Sequence, residues 1–464
     1  MADEPSPDNL PPAYFLSLTV ENVRCFGPEQ TLDLSDGNGR PAQWTVLLGD
    51  NGTGKTTLLQ ALSALEVVTE RDEETEEFLD NALSNNEPVW SEKPAILMLQ
   101  DRGASADLRR SGGEKATLSA KYFSGVKLSA DSGGSALPHQ FELIQRGIKG
   151  LRAEGYPPSD EVKGLFCVGY GASRAMHEGE TKNEEKIKTL SLFLDTGSLP
   201  NAEEWLHNLN YAAKSGKEKA RTRLNKVVSV LSDTDKGILP DVDDLRFQES
   251  EDDTSPPDVE FHTHYGWVTI DQLSLGYRTM IAWVVDLARR LFNRYPESDN
   301  PLAEPAVCLV DEIDLHLHPK WQRKIIDFLS ERFPNTQFIV TAHSPLVVQA
   351  AEDANIALLK RVEVENGDDH VEIENDPARI RNWRVDQILT SDLFDLDSAR
   401  PPKADKLMHK REEILSKEEL TEEDKRRLDE IEEELGDLPT GETPDDIEAM
   451  NLIRQAARRI KDDA

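Results

Sequence analysis

Gly49-Asp50-Asn51-Gly52-Thr53-Gly54-Lys55-Thr56 fits the pattern G-x-x-x-x-G-K-[ST] without a gap. Such a loop serves phosphate chemistry. Its glycines let successive backbone N–H groups curl around a phosphate, its lysine reaches the β and γ oxygens, and its hydroxyl ligates Mg²⁺. The candidate nucleotide contacts are Asn51, Gly52, Gly54, Lys55, Thr56 and Thr57. A second constellation lies far downstream, where the apolar run Ala306-Val307-Cys308-Leu309-Val310 ends on Asp311-Glu312. With a phosphate loop nearby, Asp311 would hold Mg²⁺ through water, sharing the metal with Thr56. Glu312 would act as general base on the attacking water. ATP and Mg²⁺ are the cofactors this chemistry predicts.

These residues need strands and helices to hold them. Trp44 to Leu48 reads as a short buried strand before the loop, and Thr56 to Ala64 as a helix after it, which is the context the motif requires. Phe15–Val20 and Thr31–Leu34 alternate as strands do. Downstream, Leu165–Tyr170 is strand-like, 278–295 reads as a helix, Ala306–Val310 as a strand, 320–333 as a helix and Gln337–Thr341 as a strand. That alternation predicts an α/β fold with a mostly parallel sheet, whose ligands sit at the strands' carboxyl ends. Lys55 and Asp311 stand 311 − 55 = 256 residues apart, so one nucleotide-binding domain must carry a large insertion. Within the intervening chain, residues 66–90 are acidic and helix-prone, and 101–137 are polar and rich in Gly and Ser, as a loop-bearing insertion would be. Residues 199–231 read as helical, and 249–258 as a solvated acidic loop. From about 400 the chain turns charged with sparse apolar positions. Thr421 with Asp424 there looks like a capping box within a helical hairpin over 403–435.

The chain of 464 residues carries 53 basic and 88 acidic side chains, a formal charge of 53 − 88 = −35. So negative a surface repels phosphate backbones, and nucleic-acid binding would need a local patch such as Arg109, Arg110, Lys115 and Lys121. Nucleotide binding depends on local contacts and is not excluded. No run of about 18 apolar residues exists, so no membrane partner is expected. The acidic, Pro-rich start lacks a signal-peptide pattern, and Cys25, Cys167 and Cys308 stand far apart with no CxxC. A reducing cytoplasm is the expected compartment.

Four further motifs follow in a fixed order: Glu21-Asn22-Val23-Arg24-Cys25-Phe26, Leu273-Ser274-Leu275-Gly276-Tyr277-Arg278-Thr279, Ile313-Asp314-Leu315-His316-Leu317-His318-Pro319 and Phe338-Ile339-Val340-Thr341-Ala342-His343-Ser344-Pro345. Together they resemble the ABC-class ATPase heads of the RecF, SMC and OLD group, over roughly residues 14–350. The resemblance implies a signature motif at Ser274 and Gly276, a D-loop at Asp314 and a catalytic switch histidine at His343. Arg24 and Arg174 are candidates for positive charge near the nucleotide. Ser274 and Gly276 sit near a helix N-terminus, where N–H groups and the dipole favour an anion. Two heads packed head-to-tail would bring that spot to the partner's γ-phosphate and complete both sites at once. His316 and His318 read as structural or dimer contacts rather than metal ligands.

The predicted architecture is thus an ABC-type P-loop ATPase head at 1–360, with an insertion at about 66–165 and a helical part at about 180–232. A C-terminal helical, partner-docking module follows at 361–464. Within the group, Glu312–Pro319, Gly169–Arg174 and Asp386–Ser391 look like the PtuA-type ATPases of Septu and related retron systems. That implies an enzyme hydrolysing ATP to ADP and phosphate, switching through self-pairing, and controlling a separate nuclease such as an HNH protein in anti-phage defence. The alternative is a RecF-like DNA-repair ATPase, against which the net charge argues.

Overall fold

The computed structural model describes residues 10–71, 90–94, 108, 115–130, 135–146, 150–154, 164–176, 188–194, 198–232, 238–239, 241–248, 258–364, 368–375, 383–394, 396, 398–417 and 420–435. The expected acidic loop, apart from Asp258, lies outside these residues, as do Arg109 and Arg110. The chain divides into two units, one spanning Met1–Ile388 with Asp392–Phe394, the other Leu389–Ser391 with Asp395–Ala464.

The first unit is organised by a six-stranded sheet. Its order is His370–Asn375, Asn355–Val362, Trp44–Gly49, Thr336–Thr341, Ala306–Val310 and Cys167–Tyr170. The outermost pair at the His370 edge is antiparallel, and every other neighbouring pair is parallel. Parallel strands buried on both faces read as continuous apolar runs, which is why the Trp44, Thr336, Ala306 and Cys167 strands were legible in the sequence. Alternate side chains enter two separate cores. Val46, Leu48, Cys308, Val310, Phe338 and Val340 face one, beneath Met280, Trp283 and Leu287 of the helix Leu275–Arg294. Leu47, Val307, Leu309 and Ile339 face the other, beneath Leu58, Leu59 and Leu62 of the helix Lys55–Ala64.

Three expectations are corrected. The head does not stop at 360, because Asn355–Val362 and His370–Asn375 form a hairpin on the main sheet. The charged outer strand had disguised it. The polar stretch 101–137 is not simply a loop. Lys115–Ser124 is a ten-residue strand paired with Ala13–Glu21, with Ala116, Leu118, Ala120 and Tyr122 buried on every second position. It joins a five-stranded antiparallel sheet that also holds Gln30–Asp33, Ser135–Arg146 and Gly150–Glu154. Finally, Val67–Arg71 is a strand paired with Trp90–Pro94, not a helix, and residues 72–89 lie outside the described set.

Two helices, Ala202–Lys214 and Glu218–Ser232, follow the helical pattern of the sequence. In the second unit, helices Pro402–Leu415 and Glu422–Leu435 bury Ile414 and Ile431. The Asp424 amide donates to Thr421 Oγ1 at 3.2 Å and its carboxylate accepts the Thr421 amide at 3.1 Å. That is the reciprocal geometry of a capping box. Among the described residues, no helix is long and apolar enough to cross a membrane.

Candidate functional site

Five strands of the main sheet run the same way, so their carboxyl ends meet along one edge. At that edge the turn after Trp44–Gly49 places Gly49, Gly52 and Gly54 at φ 138°, 81° and 90°. Glycine enters this region without the steric cost of a Cβ. Gly54 is needed for space as well, since a Cβ there would overlap Cys25 Sγ and the Phe26 ring. The helix Lys55–Ala64 starts at once, with Gly54 as its cap, so its first unpaired N–H groups face the loop.

Lys55 is buried. Its ammonium donates to the Gly49 carbonyl at 2.7 Å and the Asp50 carbonyl at 2.9 Å. Burial lowers its pKa below the ordinary value, opposed by the attraction of Asp311, Asp50 and Glu312. Thr56 Oγ1 donates to Asp311 Oδ2 at 2.8 Å. The acid strand is not the immediate neighbour of the loop strand, because Thr336–Thr341 lies between them. That middle strand supplies the bridge. Thr341 Oγ1 donates to Asp311 Oδ1 at 2.7 Å and accepts the Glu312 amide at 2.7 Å. Asp311 is thereby fixed from two sides. Glu312 sits at φ 48°, which side-chain-bearing residues rarely adopt. One turn further, Asp314 Oδ2 accepts the His343 amide at 3.0 Å, and Asp314 Oδ1 is buried without a partner among the described residues.

Most sequence-predicted residues converge here. Arg24, Asn51, Gly52, Gly54, Lys55, Thr56, Thr57, Asp311, Glu312 and His343 surround a cleft of about 390 Å³. Cys25 lines it too, though nothing in the sequence singled out its thiol. Thr341 was also missed; its only sequence signal is a hydroxyl at the end of an apolar strand. Arg24 donates to Gln60 Oε1 at 2.7 Å.

Ser274 and Gly276 are not among the residues lining the cleft. Ser274 is the exposed cap of a 20-residue helix, and its hydroxyl makes no capping hydrogen bond. Gly276 packs against the carbonyl of His316, where a Cβ would overlap the oxygen. Arg174 requires correction. It is 3% exposed and turns its guanidinium to the carbonyls of Gly171, Asp311 and Glu312 at 3.0, 2.5 and 2.8 Å. Burial pushes its pKa down to about 10. It therefore supports the acid strand from behind instead of lining the nucleotide cleft. His318 Nδ1 accepts the Lys320 amide at 3.2 Å and caps a short helix. No group of three metal-ligating side chains occurs among the described residues.

Comparison with known proteins agrees with this geometry. Residues 173–349 match a family model described as an AAA domain, putative AbiEii toxin, Type IV TA system, and residues 17–86 match a second AAA domain model. The chain is 30% identical over 297 residues to the retron Ec83 probable ATPase of Escherichia coli, covering 63% of this chain and 51% of that one. It is 26% identical over 375 residues to the Septu protein PtuA of Bacillus mycoides, covering 80% of this chain and 43% of that one. The chain thus spans about half the length of these relatives or less. Among solved structures, an SMC head bound to the C-winged helix domain of ScpA matches at a TM-score of 0.42 and 14% identity, covering 78% of this chain and 98% of that one. With its phosphate loop, acid strand and downstream motifs meeting on one sheet, the chain has the nucleotide-site layout of a P-loop protein and is similar in sequence to the retron and PtuA proteins.

Proposed function

We propose that the chain hydrolyses ATP between two copies packed head-to-tail, and that closing and opening of this pair is a switch in anti-phage defence acting on a separate nuclease. One observation carries the reading. Lys55, Thr56, Asp311, Glu312 and His343 share one cleft, whereas Ser274 stands exposed outside it at the start of a long helix. A second copy is the natural source of that helix start for the γ-phosphate.

In this scheme Lys55 exchanges its two carbonyl partners for β- and γ-phosphate oxygens. Thr56 and Asp311 would hold Mg²⁺. Their hydroxyl and carboxylate oxygens already touch, and hard oxygen donors, few in number and completed by phosphate, are what this ion prefers. When bound, it neutralises charge on the phosphates. Glu312 takes a proton from the water whose oxygen bonds to the γ-phosphorus. The bond from that phosphorus to the bridging oxygen breaks, and ADP leaves with the electron pair. His343 hydrogen-bonds the γ-phosphate. The relatives named for retron and Septu systems support the defence setting, with a nuclease such as an HNH protein as the controlled effector. The helices at Pro402–Leu415 and Glu422–Leu435 are the candidate docking surface for it.

Glu312→Gln tests both parts. It should keep ATP binding, slow phosphate release by about 100-fold or more, and accumulate an ATP-dependent dimer in light scattering. A wild-type rate would remove Glu312 from the mechanism. A monomer at saturating ATP would remove the pairing.

A further inference from the structure

Glu312 carries its carboxylate on a backbone that side-chain-bearing residues avoid, at φ 48°. Such a conformation persists only where the surroundings over-determine it. Here both peptide planes of Glu312 are pinned. The plane before it is held at the Asp311 carbonyl by Arg174 Nη1, 2.5 Å away, and at the Glu312 amide by Thr341 Oγ1, 2.7 Å away. The plane after it is held at the Glu312 carbonyl by Arg174 Nη2, 2.8 Å away. With both planes fixed, neither dihedral at Glu312 is free to relax.

The anchor of this clamp is itself immobile. Arg174 Nη1 also donates to the Gly171 carbonyl at 3.0 Å, which ties the guanidinium to the end of the neighbouring strand Cys167–Tyr170. A Cβ on Gly171 would overlap the Ser191 carbonyl, so that turn is closely packed. Burying a cation is costly unless polar partners surround it, and three carbonyls do so here. Only a planar fork reaches two adjacent carbonyls with two separate nitrogens; a lysine ammonium does not. Thr341 closes the arrangement from the middle strand, and its hydroxyl also donates to Asp311 Oδ1 at 2.7 Å.

We infer that Arg174 and Thr341 are positioning residues that lock the backbone of Glu312 so that its carboxylate faces the nucleotide cleft. This rests on the general-base reading of Glu312. Neither residue lines the cleft; Arg174 acts through the backbone of Glu312, and Thr341 through Glu312 and the Asp311 carboxylate, so neither touches ATP.

The test uses the full chain at saturating Mg²⁺, with ATP affinity and steady-state hydrolysis measured on the same preparations. R174K, R174Q and T341V should bind ATP within about threefold of wild type and lose at least about tenfold in kcat with little change in KM. T341S keeps the hydroxyl and should recover most of the rate. On an E312Q background, R174K should lower the residual rate by less than about twofold, because groups acting as a unit are not additive. A folded R174K or R174Q with wild-type kcat overturns the inference. So does a full tenfold loss on top of E312Q. If both arginine variants fail to fold, T341V decides, and wild-type kcat there overturns the clamp. Failure of the underlying reading looks different, since E312Q itself would then turn over ATP at the wild-type rate.

Discussion

Two openings lie at opposite ends of the same parallel strands. The larger, about 1060 Å³, is lined by Trp44 and Asn355, the first residues of their strands, with Arg323, Asp327, Trp383 and Arg384 around them. The smaller, about 390 Å³, lies where those strands end. In the larger groove the only lining residue with positive φ is the turn glycine Gly37, and its charged side chains Arg323 and Asp327 are exposed. The smaller cleft gathers Arg24, Gly52, Gly54 and Glu312 at positive φ around the buried Lys55 and Asp311. Strain and buried charge cost stability and survive where the fold holds them in place. Volume alone would have pointed to the wrong end of the sheet; the concentration of costly features points to the phosphate loop.

The sharpest way to break this contrast is Lys55→Ala. Losing two charge-assisted contacts to phosphate should weaken ATP binding by about 100-fold or more in calorimetry. Unchanged affinity would contradict the assignment of the loop. Gly54→Ala adds a Cβ at φ 90° against Cys25 and Phe26. It should cost about 3 kcal/mol in thermal or denaturant unfolding. Ser274→Arg should leave ATP binding to the single subunit within about twofold, yet reduce hydrolysis about tenfold or more by blocking the partner's approach. Equal turnover would separate Ser274 from catalysis. Smaller still is a proton effect. Burial depresses Lys55 and phosphate oxygens would restore it toward its ordinary 10.5, so ATP binding should take up a fraction of a proton in the alkaline window between the two values. The sign is set by the higher pKa of the bound form: affinity is full below the free lysine's pKa and falls as pH rises through it. Calorimetry in two buffers of different ionisation enthalpy reads this directly. At the other end of the sheet, Asp327→Asn with Arg384→Gln should leave kcat within about twofold. A large loss there would give the wide groove a share in the chemistry.

Four of the five parallel strands were legible because burial on both faces writes them as unbroken apolar runs, and the phosphate loop because its spacing sits between a strand and a helix; Asn355–Val362, with Lys360 and Arg361 in its second half, was not read. The antiparallel part was not. Ala116, Leu118, Ala120 and Tyr122 alternate inward, but the Gly- and Ser-rich surroundings outweighed a period of two. Burial also decided Arg174. A sequence offers no way to tell a guanidinium that meets phosphate from one folded inward onto carbonyls, and only the register of the Cys167–Tyr170 strand beside Ala306–Val310 settles it. Thr341 was unreadable for a related reason, since its two hydrogen bonds depend on its strand lying between the loop strand and the acid strand.

Gly276 meets the carbonyl of His316 with no room for a methyl group between them. His316 lies four residues beyond Glu312, on the same short loop. A displacement at the tip of the long helix would therefore press directly on the segment that carries Glu312, the acid proposed to activate water. If two copies close on ATP as proposed, occupancy of one pocket would be felt at the other through this one tight contact.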